Sequence, residues 1–213
     1  MLRFQLPWGE MVTKINKKTI ASQKSKEKIL KTTLQLLLKK GNTSTVSTTD
    51  ICSAAKITRP TLYYHFKSKR ILLAEVHKQL LDDGLMPIIN RAMHIEDGME
   101  RLSFMIKGFT KHIYSNPVLR IFIHDSLMIQ DKQFKLVRDE WKKHYYLLRD
   151  TITKLKLEKK INTNIKPSWS ALFILGMITW ITYWFDYHRQ DEVNEIEEAV
   201  FQFVLDGING VKL

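Results

Sequence analysis

The sequence predicts an all-α protein. Three observations carry that expectation. Apolar residues recur at helical spacing through most of the 213-residue chain, no run of alternating apolar and polar residues reaches useful strand length, and the breaks fall on glycine, proline or short polar clusters. With 44% apolar residues the chain can bury a substantial core, so disorder is not the expected state.

Taken in order, residues 11–26 (MVTKINKKTIASQKSK) are polar and basic without a usable apolar period. Residues 1–25 are therefore expected to form a flexible basic arm, with Met11 as an alternative start to Met1. From Lys26 the pattern changes: Ile29, Leu30, Thr33, Leu34, Leu37 and Leu38 share one helix face, and Gly41 stands where a helix-terminating glycine belongs. The stretch STTDICSAAKITRPTLYYHFKSKRILL then reads as short helices. Ser47 or Thr48 can cap one through Ala55, with Asp50 in the first turn, where the helix dipole favours a carboxylate. Thr58 can cap a second, in which Pro60 is harmless because first-turn amides have no intrahelical partner. A third starts near Ser68 and carries Ile71, Leu72, Val76 and Leu80. The first two, separated by Lys56 and Ile57, have the dimensions of a helix-turn-helix.

From Gly84 onward the chain is again helical, punctuated by Pro87, Gly98, the Ser-Asn-Pro at 115–117 and the polar stretch 161–168. The segment 168–187 is apolar over nearly all of its surface, which requires burial on several sides. Its apolar core, residues 171–185, is 15 residues long, short of the roughly 18 to 20 that span a bilayer, so a buried helix is expected. The last helix, 192–209, places Val193, Ile196, Val200, Phe203, Val204 and Ile208 on one face.

Charge divides the chain sharply. Residues 1–80 hold 16 Lys and Arg against 4 Asp and Glu, whereas residues 81–213 hold 18 against 18, so the whole formal charge of +12 lies in the first part. That part is expected to meet a polyanion, either nucleic acid or an anionic membrane surface. A single cysteine, Cys52, excludes an internal disulfide framework, fits a reducing compartment and is expected to pack as a small buried hydrophobe. The apolar start MLRFQLPW is too short for a secretory signal and has no cleavage site, so a cytoplasmic location is expected. The chain has no glycine-rich nucleotide motif, no H-E-x-x-H and no C-x-x-C, and its seven histidines follow no metal-ligand spacing. Acid pairs such as Asp82 with Asp83 and Asp139 with Glu140 are sequence neighbours that point to different sides of a helix. No enzyme, cofactor or metal is expected.

A helix that enters the major groove of DNA needs short or flat side chains for base edges, with hydroxyls and cations beside them for phosphate oxygens. Residues 58–69 supply both. Leu62 and Phe66, at i and i+4, can pin the helix to its core, which leaves Arg59, Thr61, Tyr64 and His65 on other faces. Arg59 can donate two hydrogen bonds to a guanine, and Pro60 or Tyr64 can pack on a thymine methyl.

The order of these features, and above all T-L-Y-Y-H-F-x-S-K at residues 61–69, resembles the DNA-binding domain of the tetracycline-repressor (TetR) family of bacterial regulators over about residues 26–76. The resemblance implies an N-terminal three-helix helix-turn-helix domain at 26–76 and, at 77–213, a helical effector-binding and dimerisation domain. It implies that Arg59, Pro60, Tyr64 and Thr49 reach base edges, while Thr48, Thr61, Tyr63, His65 and Lys69 hold the DNA backbone. One departure stands out, because the family usually has glycine where this chain has Lys56. A left-handed lysine there would cost about 1 kcal/mol relative to glycine, while its cation could touch the DNA backbone.

For the second half the resemblance rests on TYWFDYHRQDEVNEIEEAVFQFVLDGI, which is similar to the last two helices of many such regulators, including some that respond to fatty-acyl or steroid-related coenzyme A thioesters. A lipid-like or acyl-coenzyme A effector is one expectation that follows. Phe104, Phe109, Tyr114, Phe122, Trp141, Tyr145, Phe173 and Met177 are candidates to line an apolar pocket, and Trp180, Trp184, Ile196, Val200, Phe203 and Val204 are candidates for a homodimer interface. The expected function is a ligand-responsive repressor that binds a palindromic operator in double-stranded DNA as a dimer. A peripheral membrane protein with its lysine arm on anionic lipid is the rival reading.

Overall fold

The computed structural model describes residues 8–126 and 135–209, which hold ten α-helices and no strand. They run α1 (Trp8–Lys40), α2 (Thr48–Ala55), α3 (Arg59–His65), α4 (Lys69–Leu80), α5 (Met86–Met93), α6 (Gly98–Tyr114), α7 (Pro117–Ser126), α8 (Lys135–Leu157), α9 (Pro167–Ile181) and α10 (Val193–Asn209). The chain separates into two compact units, divided within α4 between Leu73 and Ala74.

In the first unit, α2 packs on α1 and α3 on α2 around a core of Ile29, Leu37, Val46, Ile51, Leu62 and Phe66, each at most 2% exposed. Gly41 ends α1 at φ +70°, with its amide donating to the Leu37 carbonyl at 2.8 Å. The start of α1 corrects an expectation. Residues 8–25, expected as part of a flexible arm, are the first turns of α1; residues 1–7 lie outside the described residues. The physical reason is that 10–25 contain neither glycine nor proline and include four lysines, which favour a helix. Extending a helix already nucleated at Lys26 adds a hydrogen bond per residue without needing an apolar face.

In the second unit α6 is central, packing against α5, α7, α8, α9 and α10, while α8 also packs along α9. Leu102, Met105, Ile106, Phe109, Ile113 and Tyr114 of α6 are all at most 1% exposed. Between α4 and α5 the helical ladder widens to a π turn over Leu81–Leu85, where the Met86 amide donates to the Leu81 carbonyl. Pro87 follows directly, and a proline has no amide to continue the α ladder. Gly84 in this turn lies flat against α6: a Cβ there would sit 1.7 Å from His112 Cε1.

The segment 168–187 also departs from expectation. Its helix ends at Ile181, where the Thr182 hydroxyl donates to the Thr179 carbonyl at 2.5 Å, and the following residues turn. Within the chain α9 is buried on one face only, through Ser170, Ala171, Ile174 and Ile178; Trp169, Leu172, Phe173 and Trp180 face outward. Among the described residues no helix is long and apolar enough to cross a membrane.

Candidate functional site

The α2–turn–α3 segment is held by three local devices. At its start Ser47, not Thr48, caps α2: its hydroxyl accepts from the Asp50 amide at 3.1 Å, and its amide donates to Asp50 Oδ2 at 2.8 Å. Lys40 donates to the same carboxylate at 2.7 Å. This hydrogen bond, followed by those from Ser47, holds the Asp50 carboxyl far below the usual carboxylate range. Thr48 and Thr49 therefore open the first turn, with Thr49 exposed and Thr48 half-buried. At the turn, Lys56 adopts φ 52° and ψ 51°, the left-handed conformation in which lysine is costlier than the family's usual glycine. Its amide and that of Ile57 donate to the Ser53 and Cys52 carbonyls at 3.1 and 3.0 Å, closing the end of α2. At the third point Thr58 caps α3, accepting from the Thr61 amide at 3.4 Å, with the two hydroxyls 2.9 Å apart.

Leu62 and Phe66, both 2% exposed, anchor α3, and the opposite surface is open: Arg59 and Pro60 are exposed, Tyr64 is 75% exposed and Tyr63 47%. Arg59 Nη2 donates to Thr49 Oγ1 at 2.8 Å, so the structure brings together two expected base-reading residues from different helices. That contact spans ten positions and depends on the turn angle, so nothing in the sequence signalled it. The hydroxyl of Thr61 is engaged with Thr58, and His65, half-buried, places Nε2 3.2 Å from Ser25 Oγ of α1. Lys56 is exposed beside the turn, and Lys69 opens α4, half-buried. Cys52 is buried and free, as expected.

The aromatic residues expected to line one pocket are divided by the structure. Phe109, Phe122 and Trp141 gather around two histidines that sequence reasoning missed. His77 stacks on Phe122 at 4.7 Å and lies 6.3 Å from Trp141; Phe109 meets Trp141 at 5.5 Å and His144 at 4.5 Å, edge to face. Both histidines are at most 1% exposed, and neither has a hydrogen-bond partner for either ring nitrogen among the described residues. Burial pushes both imidazoles down to about 3 from 6.5. Isolated histidines on apolar helix faces carry no distinguishing spacing, which is why the sequence did not reveal them.

Tyr114 is fully buried, and its hydroxyl donates to the Ile178 carbonyl at 2.7 Å, so it ties α6 to α9 rather than presenting a free polar handle. Phe104 lies under the Arg91 guanidinium at 5.0 Å, and Tyr145 is half-buried beside Tyr146. Phe173 and Met177 are elsewhere again, on the outward side of α9, where with Phe203 and Gly207 of α10 they line an open apolar groove of about 410 Å³. The single pocket expected from these eight residues is thus corrected: outward-facing α9 separates its two members from the interior cluster.

The candidate dimer residues divide likewise. Trp180, Trp184 and Phe203 are 62%, 75% and 67% exposed. Ile196 is half-buried, whereas Val200 and Val204 are buried within their own unit, so these two valines serve the core and are not surface groups.

Comparison with known proteins agrees with this architecture. Residues 29–76 match the profile of the bacterial regulatory proteins of the tetR family, and residues 96–208 match that of the tetracyclin repressor-like C-terminal domain. The chain belongs to the tetR family and is a DNA-binding transcriptional regulator of that family. Among solved structures it is similar to AibR in complex with isovaleryl coenzyme A and operator DNA, at 20% identity over 85% of this chain and 98% of that one, with a TM-score of 0.73. PfmR from Thermus thermophilus is similar at 21% identity, 84% and 98% coverage and a TM-score of 0.72. FadR from Bacillus subtilis in complex with stearoyl-CoA is similar at 15% identity, 85% and 98% coverage and a TM-score of 0.71. Identities this low speak for the fold. No curated protein matches the chain.

Proposed function

We propose that the protein is a dimeric repressor that occupies a palindromic operator and leaves it when a small hydrophobic or amphipathic effector binds. The observation that carries this reading is the open surface of α3, where Arg59, Pro60 and Tyr64 stand exposed on a helix anchored from behind by Leu62 and Phe66. Arg59, Pro60, Tyr64 and Thr49 are assigned to base edges. Thr48, Thr61, Tyr63, His65, Lys69 and Lys56 are assigned to the sugar-phosphate backbone.

Dimerisation is supported by the outward aromatic stripe of α9 and the groove beside it. Trp169, Phe173, Trp180, Trp184 and Phe203 are each more than half exposed, and large apolar side chains left open to water mark interaction surfaces. Covering this stripe with a second copy presents two α3 helices to the two halves of an operator. The effector class rests on kinship in fold: two similar structures hold acyl-coenzyme A molecules. Phe109, Phe122 and Trp141, which pack among interior aromatics, are the side chains we assign to the effector's acyl chain on their apolar chemistry. Binding that favours one spacing of the two DNA-binding units lowers operator affinity by the effector's differential affinity for the two states.

The test is selection of a duplex from a random library by the full-length protein, followed by light scattering and titration with isovaleryl- and stearoyl-coenzyme A. Recovery of a palindrome, a dimer at micromolar concentration and release of the duplex by one of the thioesters are expected. A monomer, or flotation on liposomes without retention of any duplex, overturns the reading.

A further inference from the structure

The helix-turn-helix does not use all of the charge that the first unit carries. Between residues 8 and 31 the sequence places seven lysines, at 14, 17, 18, 24, 26, 28 and 31, against two acids, Glu10 and Glu27. Most of this segment precedes residue 29, where the match to the family's DNA-binding domain begins. It is helical from Trp8, so residues 8–25 extend α1 by about 25 Å.

Two contacts fix how this extension joins the recognition helix. Ser25 Oγ meets His65 Nε2 at the last residue of α3, and Lys26 Nζ lies 5.9 Å from the Phe66 ring centroid. Ser25 therefore marks the face of α1 that turns toward the end of α3. On a helix, positions three, seven and eleven residues away share a face, which places positions 28, 18 and 14 on the side of Ser25, and all three are lysine. Lys24, Lys28 and Lys31 are exposed, while Glu27 accepts from Gln23 at 3.1 Å.

We propose that the N-terminal half of α1 is a second DNA-binding surface, which holds the phosphates flanking the operator through Lys24, Lys28 and Lys31, with helix positions 14, 17 and 18 continuing the lysine pattern. The partner class follows from charge and continuity. A regular polyanion is the complement of a helical row of ammonium groups, and the row begins at the end of α3, where His65 is assigned to the DNA backbone. Lysine is a point charge on a flexible stem, suited to phosphates rather than to base edges. The surface therefore adds affinity on any sequence, and its specificity is for duplex length. This inference rests on the proposed DNA-binding role of α3 and extends it.

Full-length protein is compared with two variants, Lys14→Gln/Lys17→Gln/Lys18→Gln and Lys24→Gln/Lys28→Gln/Lys31→Gln, on the selected operator either trimmed to its palindrome or carrying 15 base pairs of arbitrary flank. Glutamine keeps helix propensity, and circular dichroism confirms that α1 is retained. The unmodified protein is expected to bind the flanked duplex at least tenfold more tightly than the trimmed one. Each variant should reduce that advantage and lower the slope of log affinity against log salt by roughly 0.9 for every phosphate no longer neutralised, with the preference for operator over random duplex unchanged. Arginine at the same positions should restore both. Equal affinity for flanked and trimmed duplexes, or an unchanged salt slope in both variants, overturns the proposal. So does a loss confined to flotation on vesicles of 30% phosphatidylserine in phosphatidylcholine. A salt slope that responds to the lysines while no operator is preferred would overturn the role of α3 and leave this surface standing.

Discussion

In the unbound unit the Arg59 guanidinium donates to the Thr49 hydroxyl, 2.8 Å away, and so is already held against α2. Holding a long side chain in one rotamer before binding removes part of the ordering cost at the interface. Arg59→Ala is expected to cost about 1 to 3 kcal/mol of operator affinity and to relax preference at one base pair, whereas Lys69→Ala should weaken all duplexes alike and lower the salt slope by about one. Competition binding against single-base operator variants separates these outcomes; equal, sequence-independent losses would refute the sorting. Lys56 is the other instructive residue. Its departure from glycine was legible only through the resemblance to the family, and the structure shows a left-handed backbone at that position. Lys56→Gly is expected to raise stability by up to about 1 kcal/mol, read from the urea midpoint, as relief of left-handed strain outweighs the extra freedom of glycine in the unfolded chain. The Arg59–Thr49 bond was illegible for a complementary reason, since side chains on two helices meet only once the turn angle between them is known.

Among the helices, an apolar stripe located the element more reliably than it sorted its residues, since Leu38, assigned to the apolar face of α1, is exposed. The stretch 26–40 showed its face through Ile29, Leu30, Thr33 and Leu37, and the structure buries these four residues. The preceding turns have no such stripe, so periodicity assigned them to an arm. The absence of helix breakers, rather than amphipathicity, was the relevant signal. The junction of α4 and α5 was marked by Pro87, yet the π turn and its tight fit could not be inferred from proline alone. Gly84→Ala drives a methyl into the His112 imidazole and is expected to destabilise the second unit by about 1 to 3 kcal/mol. Pairing it with His112→Ala should recover most of that loss in thermal melts; no recovery would locate the strain in the π turn itself.

For the molecule as a whole, the separation of a basic first unit from a second part with balanced charge was plain from counting residues, and the all-α class from spacing. What counting could not show is how apolar residues divide between interior and surface, as Val200 and Phe203 illustrate: one helix face by spacing, yet one residue is 4% and the other 67% exposed. The interior also carries a global pH dependence. Burial holds the folded-state pKa of His77 and His144 at about 3, against 6.5 in the absence of burial, so below pH 6.5 the unfolded chain takes up protons that the folded chain refuses. Stability from this source is fully present above about pH 6.5 and declines as pH falls toward 3, by on the order of 2 kcal/mol per histidine at pH 5. Urea unfolding at pH 7 and pH 5 should show that decline, and His77→Leu with His144→Leu should flatten it. An equal decline in the double variant would place the titration elsewhere.

The outward face of α9 has one more consequence. Of the four tryptophans whose side chains are described, Trp169, Trp180 and Trp184 stand on or just beyond that exposed face, and Trp141 alone packs among interior aromatics. The protein thus carries its own optical gauge of self-association. Dilution that parts two copies should wet three indoles at once and move their emission to longer wavelength, while emission already at that longer wavelength at the highest concentration would mean that this face is never covered.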